Sequence, residues 1–217
     1  MLNYGGLVTY YRGELSYIKS YARCGGAETN FKLEIGMTAS RGKTICFIDN
    51  ANVFHGQHDS GWRIDWERFL KHLEDGEQIW QVYFFASETD PPREEASSFY
   101  QYLKEQLRWE VVVYPLGKKT MRCDNCDHTH TTLVEKGVDI GLATKMLMLA
   151  MSRAYETAIL VSGDRDYLET VKYIKGMGLR VEIISWRAGL SDAMEAESSA
   201  PVIYLDNLKD QIRRHER

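Results

Sequence analysis

The stretch KTICFIDNAN, Lys43–Asn52, decides how the rest of the chain is read. Its apolar run has the pattern of a strand buried on both faces, and it stops abruptly at Asp49, Asn50 and Asn52. A buried strand ending in polar side chains delivers them to the rim of a sheet, where its C-terminal end meets solvent. Ile45, Phe47 and Ile48 supply the anchor and Asp49 supplies the reactive group. Two later segments repeat the arrangement: EKGVDIGLATKML at Glu135–Leu147 and AILVSGDRDY at Ala158–Tyr167. Together the three predict that Asp49, Asp139, Asp164 and Asp166 meet in one acidic pocket.

Outward from that strand, His55–Gly61 reads as a polar loop and Asp65 as the N-cap of a helix to about Asp75. Ile79–Ala86 is rich in aromatic and β-branched residues and reads as a strand. Pro91-Pro92 is expected to open a helix running to about Leu107, and Glu110–Tyr114 to form a third strand. Pro115–Val134 lacks an apolar period and reads as a long loop, a class more often functional than accidental. Gly137–Arg153 predicts a helix whose apolar face holds Ile140, Leu142, Ala143, Met146, Leu147, Leu149 and Ala150. Ala158–Val161 and Arg180–Ile184 read as strands around a helix at Asp164–Gly176, and Pro201–Leu205 as an edge strand. Strands alternating with helices at this spacing predict an α/β fold, a mainly parallel sheet with helices on both faces.

Three segments follow: a Tyr- and Gly-rich extension at 1–40, the α/β domain at 41–208 and a charged tail at 209–217. A chain beginning at Met37 is expected to retain the functional domain. With 44% hydrophobic and 27% charged residues, the composition is that of a chain that folds on its own core. The net charge of -4 is not the basic surface of a nonspecific nucleic-acid binder, although a cation held by carboxylates would still engage phosphate. Four cysteines are too few for a disulfide framework, and Cys46, inside the first strand, reads as a reduced, packed thiol. No stretch has the length of a signal-peptide core or a membrane span, so the expectation is a soluble, cytoplasmic protein.

Several carboxylates in one cleft repel unless a cation joins them, and oxygen-only sites suit Mg²⁺ or Mn²⁺. Each residue also has a plainer role. Asp49 and Asp164 could simply cap the following turn, and Asp139 could be a surface residue favoured by its helix dipole. Recurrence of the same strand-end context favours a shared site.

IDNAN, EKGVDIGLATKML and LVSGDRDYLETVKYIKGMG resemble the signature segments of the NYN domain, specifically its LabA-like branch within the PIN-like nuclease superfamily, over about 43–208. The resemblance implies a Rossmann-like α/β/α sandwich and metal-dependent cleavage of RNA. It also implies that Asp49, Asp139, Asp164 and Asp166 hold metal, with Asn52 and Ser162 on the polar rim and Asn50 orienting the loop. Arg165 and Tyr167 stand where the family usually shows a small polar residue and Phe. Lys145 stands where many members have a further Asp, which puts a second metal in doubt. Lys136 beside Asp139, and Lys118, Lys119 and Arg122 in the long loop, are candidate phosphate contacts or merely solvated cations.

MRCDNCDHTHTT places Cys123, Cys126, His128 and His130 close together. Half of a zinc site is recognisable there, although the spacing is cramped, and a free dithiol or a redox pair remain alternatives. A metal-dependent ribonuclease leads the functional reading. Its rival is a noncatalytic RNA-binding or regulatory adaptor on the same fold. An aspartyl-phosphate phosphatase is disfavoured because Ala51 occupies the position two after Asp49. A protein partner or self-association is left open.

Overall fold

The computed structural model describes residues 9–11, 14–16, 40–74, 77–122, 126 and 128–215, the first two runs by backbone alone. The chain divides into two compact units, Met1–Ala39 and Ser40–Arg217. In the first, β1 (Thr9–Tyr11) and β2 (Glu14–Ser16) pair antiparallel. The second runs β3 (Thr44–Asp49), α1 (Asn50–Ser60), α2 (Trp66–Leu73), β4 (Ile79–Glu88), α3 (Glu94–Glu105), β5 (Glu110–Pro115), β6 (Gly117–Arg122) and β7 (Thr129–Val134). It continues through α4 (Val138–Met151), β8 (Thr157–Val161), α5 (Leu168–Gly176), β9 (Arg180–Ser185), α6 (Asp192–Glu197), β10 (Ile203–Tyr204) and α7 (Lys209–Ile212).

Six strands form one sheet in the order β10-β9-β8-β3-β4-β5, and every neighbouring pair is parallel. The strand order reverses at β3: the chain builds outward through β4 and β5, then returns to the other side of β3 with β8. Ligand crevices in open parallel sheets form at such a reversal, beyond the strands' C-terminal ends. Alternation along β3 explains the sandwich. Cys46 and Ile48 face one layer with Val53, Phe69, Leu103 and Ile212, while Ile45 and Phe47 face the other with Leu142, Met146, Val171 and Met194. The α/β class, the parallel sheet and the two helical layers are those expected.

Local differences have identifiable causes. His55–Gly61 is not a loop: α1 carries His55 to Ser60 in helix, because Asp49 caps its start and Gly61, at φ 70°, ends it. The prolines precede α3 rather than opening it, and the helix begins at Glu94 after Arg93 in extended conformation. The supposed loop at Pro115–Val134 contains the antiparallel hairpin β6–β7. Its strands escape the apolar-period test because they are largely solvent-exposed and need no core face; Thr120 and Thr131 instead touch through their hydroxyls at 3.2 Å.

On α4, Val138, Leu142, Met146 and Ala150 form the buried row, whereas Ile140 is 73% exposed. It stands two residues, about 200°, from Val138 and Leu142, on the opposite side of the helix. The charged C-terminal stretch joins the core as far as Ile212, which is buried, and Arg213 bridges to Ile64. Trp62, Trp66 and Trp109 are buried; Trp66 packs edge-on against Trp109 and Trp62 against Trp186. Among the described residues no helix is long and apolar enough to cross a membrane.

Candidate functional site

Asp49 ends β3 and caps α1. Its Oδ1 accepts the backbone N–H groups of Ala51 at 3.1 Å and Asn52 at 3.2 Å. Oδ2 accepts the hydroxyl of Ser162 at 3.2 Å and contacts that of Tyr167 at 3.3 Å. One oxygen therefore caps α1 while the other faces the Ser162 and Tyr167 hydroxyls. Asp49 is only 2% exposed. Burial raises its pKa first, the Asn52 N–H opposes this, and the charge of Asp139 adds to the rise.

Asp139 enters from the first turn of α4, after Gly137 in the left-handed conformation at φ 85°. Its Oδ1 lies 3.2 Å from the same Tyr167 hydroxyl. Two carboxylates remote in sequence thus converge on one phenol. The Asp139 pKa is raised first by partial desolvation, with Asp164 and Asp166 adding to it and the Tyr167 hydroxyl opposing. Tyr167 is fully buried; burial first, then both aspartates, push its own pKa up and keep the proton on its oxygen.

The loop after β8 completes the floor. Ser162 accepts the Asp164 N–H at 3.2 Å, and Asp164 in turn accepts the Asp166 N–H at 3.0 Å at the start of the short turn Arg165–Tyr167. Asn52 accepts the Gly163 N–H at 3.3 Å and so ties α1 to this loop. Gly163 has no room for a side chain, since a Cβ would run into the Gly189 carbonyl and the Ser185 hydroxyl. Asn50 opens α1 and is half-buried.

Sequence reasoning passed over two groups. Glu135 belongs to the same electrostatic cluster: its pKa is raised by partial burial and by Asp49 and Asp139, while Ser87 and His55 oppose the rise. It opens the segment EKGVDIGLATKML, but only the fold brings β4 and α1 up to it. The Tyr167 hydroxyl was visible as a departure from Phe, with nothing in the text to say what it touches.

The basic candidates are more scattered. Lys136 lies with its aliphatic stem against Gly117 and is exposed. Lys118, Lys119 and Arg122 are exposed on β6, where strand alternation sends Lys118 and Arg122 to one face of the hairpin and Lys119 to the other. Lys145 pairs with Glu110 of β5 at 3.5 Å and sits 5.0 Å from the centre of the Tyr83 ring. The depression between Tyr114 and α4 that Lys145 helps to line contains none of the four aspartates.

Cys123 lies outside the described residues; Cys126, His128 and His130 are exposed. Among the described residues no three His, Cys, Asp or Glu side chains converge as a ready-made metal-ligand set.

The family model of the NYN domain matches residues 43–206, the whole span from β3 to the turn after β10. The chain belongs to the NYN domain family. That family is generally nuclease-like and RNA-related. The NYN domain here is similar in fold to a crystal structure of a protein of unknown function from Vibrio parahaemolyticus, at 17% identity and a TM-score of 0.61, covering 82% of this chain and 100% of the other. No curated protein matches the chain. Within the NYN domain, Asp49 and Ser162 stand at the ends of the two adjacent strands where the sheet order reverses.

Proposed function

We propose that this protein is a metal-dependent ribonuclease of the LabA-like branch, hydrolysing RNA phosphodiester bonds at the Asp49–Asp139 cleft. The observation that carries the reading is the convergence of Asp49 and Asp139 on the Tyr167 hydroxyl at the reversal of the sheet. Burial first, and neighbouring carboxylates after it, raise the pKa of both acids, a setting that a bound cation would relieve.

The donor set fits one hard divalent ion. Three donors other than Tyr167 hold Asp49, and the Tyr167 hydroxyl, the one contact of Asp139 among the described residues, can donate to only one of the two acids at a time, so both keep oxygen lone pairs open. Mg²⁺ typically combines one or two carboxylates with water and substrate phosphate, and both Mg²⁺ and Mn²⁺ favour oxygen ligands. Asp49 and Asp139 would hold the ion, and Asp164 and Asp166 would add negative charge at its edge. When bound, such an ion supplies Lewis-acid activation for phosphodiester hydrolysis.

The chain's own residues set the geometry. Ser162 and the start of α1 fix Asp49, and Asn52 pins the Gly163 loop against it. Glu135, which feels the charge of both aspartates, would take or return a proton. Lys136 and the basic residues of β6 offer phosphate contacts outside the cleft.

Incubation of single-stranded and structured RNA with Mn²⁺ or Mg²⁺ tests the reading. Cleavage should be lost in Asp49→Asn and Asp164→Asn and should depend on the cation. RNA binding without cleavage in the wild type would instead support a noncatalytic adaptor, for which the Lys145–Glu110 pair, in place of a further acid, is the motivating observation.

A further inference from the structure

Tyr167 is fixed more firmly than Asp139, the more exposed of the two carboxylates it touches. Its ring is fully buried, and its backbone belongs to the turn Arg165–Tyr167 that Asp164 caps. The hydroxyl lies 3.3 Å from Asp49 Oδ2 and 3.2 Å from Asp139 Oδ1. A phenol carries one proton and can donate to one of these oxygens at a time.

The two partners depend on it unequally. Asp49 is held independently by two backbone N–H groups and by Ser162, so it keeps its place without the phenol. Asp139 stands at the exposed start of α4, and among the described residues Tyr167 makes its side chain's one hydrogen bond. Without that contact, its side-chain torsions are restrained by little beyond the helix itself. Both distances exceed the roughly 2.5–2.7 Å of a strong hydroxyl-to-carboxylate bond, so the phenol orients the acid without saturating its oxygens.

We propose that Tyr167 is a positioning residue for the divalent cation, its hydroxyl turning the Asp139 carboxylate toward Asp49 so that both acids can reach one ion. This rests on the reading of the cleft as a cation site. Groups that hydrogen-bond to metal-ligating side chains typically change metal affinity by about 10- to 100-fold when removed.

The test is Mn²⁺ binding to the full chain stripped of metal, read from the electron paramagnetic resonance signal of free Mn²⁺, with no substrate present. Wild type is compared with Tyr167→Phe, Asp139→Asn and Tyr155→Phe. The last is a control that removes another buried hydroxyl, one that donates to the Met146 carbonyl at 2.9 Å. The expected result is at least about a tenfold weaker Kd in Tyr167→Phe, near-complete loss in Asp139→Asn and a change under about twofold in Tyr155→Phe. Unchanged or tighter binding in Tyr167→Phe, with the wild type binding well, overturns the positioning role and leaves the cation site standing. Absence of any Asp139-dependent binding in the wild type removes the cation site and this role with it.

Should Tyr167→Phe fail to fold, magnetic resonance on the wild type decides the matter. Saturating Mg²⁺ should shift the ring signals of Tyr167 and leave those of Tyr155 in place. Binding that leaves Tyr167 unmoved overturns the proposal.

Discussion

Ser162 donates its hydroxyl to Asp49 at 3.2 Å and joins the ends of two neighbouring parallel strands whose residues are 113 positions apart. Both side chains are buried, so the bond has no water to replace it. Ser162 also accepts the Asp164 N–H, which makes it the link between the first strand and the loop that carries the later aspartates. Ser162→Ala should cost about 1–3 kcal/mol in urea unfolding, since it removes a donor from the buried Asp49 and leaves the Asp164 N–H without its acceptor.

Asp49 caps α1, and the proposed role in cleavage is separable from that duty. Asp49→Asn keeps an oxygen for the Ala51 and Asn52 N–H groups, whereas Asp49→Ala removes the α1 cap as well. RNA cleavage should vanish in both variants, while Asp49→Ala should be less stable than Asp49→Asn by about 0.5–2 kcal/mol. Equal stabilities in thermal melts would show that the cap contributes nothing.

Glu88, 3% exposed at the end of β4, provides a pH test. Burial tends to raise its pKa, but the Thr89 N–H and hydroxyl and the Arg93 guanidinium, at 2.8, 2.9 and 3.1 Å, outweigh this and leave it lowered from 4.5. A folded-state pKa below the unfolded value gives stability that is present above the unfolded pKa and is lost as pH falls through the folded one. Glu88→Gln should therefore destabilise by about 1–2 kcal/mol at pH 7. The gap from wild type should narrow as the pH falls below 4.5. A pH-independent gap would mean that the charge of Glu88 is not what matters.

Gly56 lies within α1, where helix propensity alone forecasts that Ala would gain about 1 kcal/mol. A Cβ there would overlap the indole of Trp186, which packs on Trp62 and donates to the Val53 carbonyl at 3.2 Å. Gly56→Ala should instead destabilise, by about 1–3 kcal/mol, with a blue or red shift in tryptophan emission reporting the displaced ring. A raised melting temperature would refute the crowding argument.

The division of the chain at Ala39/Ser40 motivates one further expectation. A chain starting at Met37 should fold and unfold with the same midpoint as the second unit of the full chain, and should keep any RNA cleavage. Aggregation or a lost transition would show that Met1–Gly36 belongs to the core.

The sequence by itself determined the α/β class, the anchor strand and the polar group at its end. Those features depend on local information: a run of apolar residues such as Ile45–Ile48 must be buried, and Asp49 directly after it must sit at the rim. The same locality hid the β6–β7 hairpin, whose exposed faces leave no apolar period, and made a loop of His55–Gly61, whose helix depends on a cap at Asp49. Only the tertiary structure decided which acids share a neighbourhood and what holds them. Tyr167 reaches Asp49 and Asp139, and Glu135 joins their cluster, because the strand order reverses at β3 and folds distant stretches onto the same end of the sheet. Hydrogen bonds and electrostatic coupling depend on distances across space, and spacing along a chain does not fix those.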